Sequence, residues 1–156
     1  MKPRVLICDN IHASAVAILA PLAEVENSGP LSEDELIEKI ALFDALLVRS
    51  QTKVTAKVLA SAKQLKIVAR AGVGVDNIDL EAATRYGVMV VNSPEGNTIA
   101  AAEHTLGLMF SLSRHIPVAD QSMKQQQWRR KDYMGSELYR KTLGVIGLGK
   151  IGSHVA

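Results

Sequence analysis

A chain of 156 residues with 47% hydrophobic and 22% charged side chains can bury a real core, since domains of this size remove roughly two-thirds of their unfolded surface from water. Its 18 basic and 16 acidic residues leave a formal charge of +2, which argues against a nucleic-acid protein and suits small anionic ligands. The lone cysteine, Cys8, excludes an internal disulfide, and the four-residue apolar stretch before Asp9 is far from a signal-peptide core, so a cytoplasmic protein is expected.

Taken in chain order, β-branched apolar runs predict strands at 5–8, 45–48, 66–69 and 88–91, with a weaker one at 24–26. Helix-period segments lie between them at 14–22, 33–42, 56–62 and 80–86. Their ends carry the expected chemistry: Ser32 with Glu35 forms a capping box, Thr55 and Asp79 are N-caps, and Gly87 suits a left-handed C′ position. Continuous apolar strands belong to parallel sheets covered on both faces. The alternation therefore predicts a flavodoxin-like, doubly wound α/β domain over 1–98 with right-handed crossovers.

A long helix follows at 99–115, then a shorter one near 118–127, an irregular polar stretch at 128–140 and a new strand at 143–146, the start of a second domain over 99–156. Glu103, His104, Arg114 and His115 interrupt the apolar run 99–116, which is also short for a bilayer of roughly 30 Å. It reads as a buried helix, and no membrane partner is expected. Small residues at Ala100, Ala101, Ala102 and Gly107, with Leu106, Leu108, Met109, Phe110 and Leu112 around them, make this helix apolar on nearly every side. Such a helix must be covered all round, so dimerisation through 99–140 is expected.

In doubly wound sheets ligands bind outside the carboxyl ends of the strands. That directs attention to Asp9, to Arg49 and Ser50, to 70–77, and to 92–97. An arginine there can hold a carboxylate or phosphate through a planar fork of charge-assisted bonds. Gly72 and Gly74, two apart, can turn successive amides inward as an anion nest.

The segment 142–152 carries G-x-G-x-x-G directly after an apolar strand. Gly147 permits the tight turn, Gly149 lets the backbone approach a pyrophosphate, and Gly152 allows close helix packing. The acidic residue that separates NAD from NADP is expected about twenty positions later, beyond Ala156. From Lys124 to Lys141 there are six basic and two acidic residues, a density that fits a solvated turn or a phosphate-facing arm better than a nucleic-acid arm.

The strings LVRSQTKVT (47–55), VARAGVGVDNIDLEAAT (68–84), VVNSPEGNTIAAAEHTLGLM (90–109) and YMGSELYRKTLGVIGLGKIG (133–152) closely resemble D-isomer-specific 2-hydroxyacid dehydrogenases, in the family's order and spacing. The resemblance covers essentially the whole chain. It implies a substrate domain followed by the start of a Rossmann NAD-binding domain, and oxidation of 3-phospho-D-glycerate to 3-phosphohydroxypyruvate with NAD, the entry step of serine biosynthesis. Alternatives within the same fold are a glyoxylate or hydroxypyruvate reductase, or a non-catalytic NAD-binding interaction module.

Carried over by position, the resemblance implies substrate contacts at Arg49, Ser50, Gly72, Val73, Gly74 and Asn97. It implies cofactor contacts at Val73, Gly147, Gly149, Lys150, Ile151 and Gly152. Arg130, after Trp128, resembles an arginine that reaches a partner subunit's substrate phosphate in a homodimer or homotetramer. The family's catalytic histidine, supporting glutamate and arginine come from the later cofactor domain and are expected beyond Ala156, so the chain itself is expected to be inactive. His12, His104, His115 and His154 lack a paired acidic partner in sequence and read as structural. No metal site is expected.

Overall fold

A computed structural model describes residues 2–156. The chain divides into two compact units, one ending at Gly96 and the other running Asn97–Ala156, two residues before the boundary predicted from sequence.

The first unit is built on five parallel strands: β1 (Arg4–Ile7), β2 (Glu24–Asn27), β3 (Ala45–Val48), β4 (Ile67–Arg70) and β5 (Met89–Asn92). They are ordered β2-β1-β3-β4-β5. The connecting helices are α1 (Ala13–Leu19), α2 (Glu33–Ile40), α3 (Ala56–Ser61) and α4 (Leu80–Arg85). Every predicted strand and helix is present, with ends shifted by a few residues. The Ser32 and Glu35 capping box forms in both directions, and the side chains of Thr55 and Asp79 accept from the N–H groups of Val58 and Ala82. Gly87 takes φ +68° just past α4, as a left-handed stop requires.

Alternation along the strands sorts side chains to two faces. Leu6, Leu46, Val48 and Val68 pack with Leu36 and Ile40 of α2, Val58 and Leu59 of α3, and Ala82 of α4. Each such aliphatic side chain contributes about 1.5–3 kcal/mol when fully buried. The opposite face, with Val5 and Ile7, is covered by α1 through Val16 and Leu19. Coverage there is incomplete at β5, where Met89 is 61% and Val91 37% exposed. The sheet is thus wound on both faces but unequally.

The second unit holds α5 (Thr98–Arg114), α6 (Ile116–Lys124), a 3₁₀ turn over Arg130–Tyr133 inside the predicted irregular stretch, and α7 (Lys150–Val155). His115 joins α5 to α6 in the left-handed conformation, φ 54°. Gly135 sits so close to the end of α5 that a Cβ would overlap the Ser113 carbonyl oxygen and Arg114 Cα. The next N–H, of Ser136, donates to that same carbonyl at 2.9 Å.

The strand predicted at 143–146 does not form, and those residues are irregular. A strand exists through its ladder, and among the described residues this unit contains no other strand to pair with it. No helix among them is long and apolar enough to cross a membrane.

Candidate functional site

The strand order reverses direction between β1 and β3, and in this fold a ligand crevice opens outside the carboxyl ends of the strands at such a switch point. Just past the end of β1 stands Asp9, which is 2% exposed and has φ 69°. Just past β3 come Arg49 and Ser50, both exposed.

The two strand ends are tied together. Asp9 Oδ2 accepts the Arg49 backbone N–H at 2.6 Å, and Asp9 Oδ1 accepts the Thr52 hydroxyl at 2.6 Å and its N–H at 3.1 Å. The Arg49 guanidinium reaches back to the Asn10 carbonyl, 3.1 Å away. Charge-assisted bonds of this kind are about twice as strong as neutral ones.

The turn after β4 joins the same edge through Asn77. Its Nδ2 donates to the Arg49 carbonyl at 2.7 Å and to the Thr52 carbonyl at 2.6 Å. An isolated parallel bridge between Val54 and Ile78 runs beside it. From the end of β5, Asn92 Nδ2 donates to the Val73 carbonyl at 2.6 Å and Ser93 N–H to the Gly72 carbonyl at 3.0 Å. Hydrogen bonds thus fix Arg49 on one turn and Gly72 and Val73 on another at the same sheet edge, with Ser50 and Gly74 beside them in the chain.

The glycine turn is not built as a nest. Neither Gly72 nor Gly74 has a positive φ, and the Gly72 N–H is taken by the Arg70 carbonyl at 2.9 Å, whereas a nest needs alternating backbone hands. Arg70 shapes the loop instead. Its side chain, 11% exposed, pairs with Asp76 across the turn. A Cβ on Gly74 would come within 3.2 Å of the Arg70 guanidinium. The Arg70 hydrogen bond holds the Asp76 carboxyl below the usual carboxylate range. Arg70 Nε is buried without a partner, so this loop keeps one unspent cationic donor.

The second set of residues lies in the other unit. Gly147 has φ +92°, a conformation glycine favours, and a Cβ on Gly152 would overlap the Gly147 carbonyl oxygen. Gly149 is the N-cap of α7, with no side-chain cap on the first turn and no atom within 4 Å of where a Cβ would sit. Lys150 and Ile151 follow in that first turn. Thr105, Leu143, Val145, Gly147 and Ile151 line an open hollow of about 390 Å³ beside this loop. A helix start without a side-chain cap, close backbone packing and open space fit a dinucleotide pyrophosphate.

Asn97 is exposed at the start of α5 and makes no side-chain cap bond, while the neighbouring Thr98 hydroxyl is buried without a partner. In the basic cluster, Arg129 pairs with Asp132 at 2.9 Å, and Arg130 opens the 3₁₀ turn, exposed. Arg130, Trp128, Arg114 and Tyr133 border a hollow of about 230 Å³.

Sequence reasoning placed Asp9, Asn77 and Asn92 near the ligand edge without giving them roles. Their work is done by side chains reaching other strands, and spacing along one strand carries no signal of that.

The chain belongs to the D-isomer specific 2-hydroxyacid dehydrogenase family, whose catalytic-domain description it matches over residues 5–151. Among similar proteins, D-3-phosphoglycerate dehydrogenase of Synechocystis is 57% identical over 98% of this chain, which spans 28% of that protein's length. The enzyme of that name from Methanocaldococcus jannaschii is 52% identical over 97% of this chain and 29% of its own length. A Thermus thermophilus protein of solved structure superposes with a TM-score of 0.90 at 31% identity, covering 97% of this chain and 51% of that one. An NADPH-dependent glyoxylate/hydroxypyruvate reductase of Sinorhizobium meliloti is 26% identical with a TM-score of 0.82, over 99% of this chain and 49% of its own.

Proposed function

We propose that this chain is a portion of an NAD-dependent D-3-phosphoglycerate dehydrogenase, which oxidises 3-phospho-D-glycerate to 3-phosphohydroxypyruvate at the entry to serine biosynthesis. The observation that carries the reading is the 57% identity to a D-3-phosphoglycerate dehydrogenase across 98% of the chain. The whole protein is proposed to act in the cytoplasm on this small anionic substrate, as a homodimer or homotetramer.

In this reading the residues up to Gly96 hold the substrate. Arg49 and Ser50 take one anionic group at the β1/β3 switch point, and the 72–74 turn takes the carboxylate, with Val73 on its nicotinamide side. Asn97 completes the substrate side, and Arg130 serves the substrate phosphate of a partner subunit. Two anionic groups on one substrate explain why more than one cationic anchor is present.

The segment 147–152 holds the nucleotide: the glycines let the backbone close on the pyrophosphate, and the helix start that follows Gly149 receives it. Bound NAD supplies the hydride acceptor. The present residues bind and orient. The histidine, glutamate and arginine that the family resemblance implies for acid–base chemistry have no counterpart among them.

The test is an assay of the full-length protein with NAD and three substrates: 3-phospho-D-glycerate, D-glycerate and D-lactate. The reading requires the phosphorylated substrate to have the highest kcat/KM. Comparable values for all three overturn it.

A further inference from the structure

The turn that carries Arg49 and Ser50 is held at both ends by side chains from elsewhere. Its two end N–H groups, at 49 and 52, donate to Asp9, and its two end carbonyls, again at 49 and 52, accept from Asn77. Ser50 and Gln51 between them are exposed.

Asp9 is an expensive residue for a merely structural post. A buried carboxylate must recover its lost hydration, and Asp9 takes part in no ion pair among the described residues. Its compensation is the set of hydrogen bonds from Arg49 and Thr52. Its backbone also holds φ 69°, a left-handed conformation in which the Cβ of any residue but glycine is crowded. Strained conformations of this kind persist where the surroundings impose them, and they cluster at ligand sites. Only a carboxylate presents acceptors alone to those donors, since asparagine in either orientation would set its NH2 against a backbone N–H, that of Arg49 or of Thr52.

We propose that Asp9 is a positioning residue for the anion subsite: its carboxylate fixes the 49–52 turn so that Arg49 meets the substrate from a preset backbone. The inference rests on the reading of Arg49 as a substrate anchor. Asp9 itself, being buried beneath the turn, touches no substrate. Its effect passes wholly through Arg49.

A double-mutant cycle on the full-length protein tests this, with KM and kcat for 3-phospho-D-glycerate measured for Asp9→Asn, Arg49→Ala and the pair, and thermal melting recorded beside them. Asp9→Asn is expected to raise KM about tenfold, as for loss of a hydrogen bond to a charged group, with kcat little changed. In the Arg49→Ala background the same substitution adds nothing further. Equal effects of Asp9→Asn with and without Arg49 overturn the positioning role while leaving Arg49 as an anchor. An Arg49→Ala enzyme with unchanged KM removes the subsite itself and the proposal with it. If Asp9→Asn does not fold, Thr52→Val deletes only the hydroxyl bond and decides by the same criterion, with a smaller rise in KM that vanishes without Arg49.

Discussion

Gly152 lies against the carbonyl oxygen of Gly147 so closely that no side chain fits between them. The first and last glycines of the motif are therefore in contact, and the loop between them is fixed by that contact. Gly152→Ala is expected to push the loop apart and weaken NAD binding by the full-length protein about five- to 150-fold, the scale of an overpacking cost of about 1–3 kcal/mol. Titration of intrinsic fluorescence with NAD reads the change, and an unaltered Kd contradicts the role given to this glycine.

Cys8 is fully buried in the core beside Asp9, and burial first, then the neighbouring carboxylate, pushes its thiol up to about 12. Since the thiolate is the reactive form, a chromogenic disulfide reagent at pH 8 is expected to find no reactive thiol in the folded chain and one in guanidinium chloride. Rapid labelling without denaturant contradicts the burial.

Four carboxyls in the first unit sit below their ordinary range. Glu26 is held there chiefly by Lys39, Glu35 by the Ser32 side chain, Asp44 by the Arg4 backbone N–H and Asp76 by Arg70. A lowered folded-state value adds stability above the unfolded value, and that contribution disappears as pH falls through the folded one. Urea midpoints are therefore expected to hold steady from neutral pH to about pH 5 and to drop below about pH 4, where carboxylates titrate. A midpoint flat down to pH 2.5 rules out the linkage.

At Gly87 nothing lies within 4 Å of the position a Cβ would take, and φ is +68°. Gly87→Ala thus changes backbone strain alone, at a cost of about 1 kcal/mol, readable as a lower urea midpoint with an unchanged slope. No shift in midpoint means the turn relaxes elsewhere.

On α5, Leu108 and Leu112 on one side and Phe110 on the other stand more than half exposed in the single chain, apolar surface of the sort that marks association. The full-length protein is expected to sediment as a dimer or tetramer at micromolar concentration, and Arg130→Ala to raise the substrate KM without altering that assembly. A fully active monomer counts against both.

How far the sequence could be read depended on whether the determinant was local. The strands and helices of the first unit follow from runs and caps a few residues long, and Ser32 with Glu35 or Gly87 can be read from neighbours alone. The strand expected at 143–146 depended on a partner, and the second unit has none to pair with it. At the ligand edge the roles of Asp9 and Asn77 could not be read from their neighbours, because both act on a turn that begins at Arg49, far away in the chain. Gly72 and Gly74 illustrate the opposite error: their spacing suits a nest, but the adjacent Arg70 occupies the turn and sets its shape.

The strand order has a further consequence for the life of the chain. β1 pairs with β2 on one side and β3 on the other, and β2 has no other neighbour in the sheet. Within the sheet, β1 is thus the one strand that joins β2 to the remainder. Loss of β1 would leave β2 without a strand partner and open the edge of β3 to pairing with another chain.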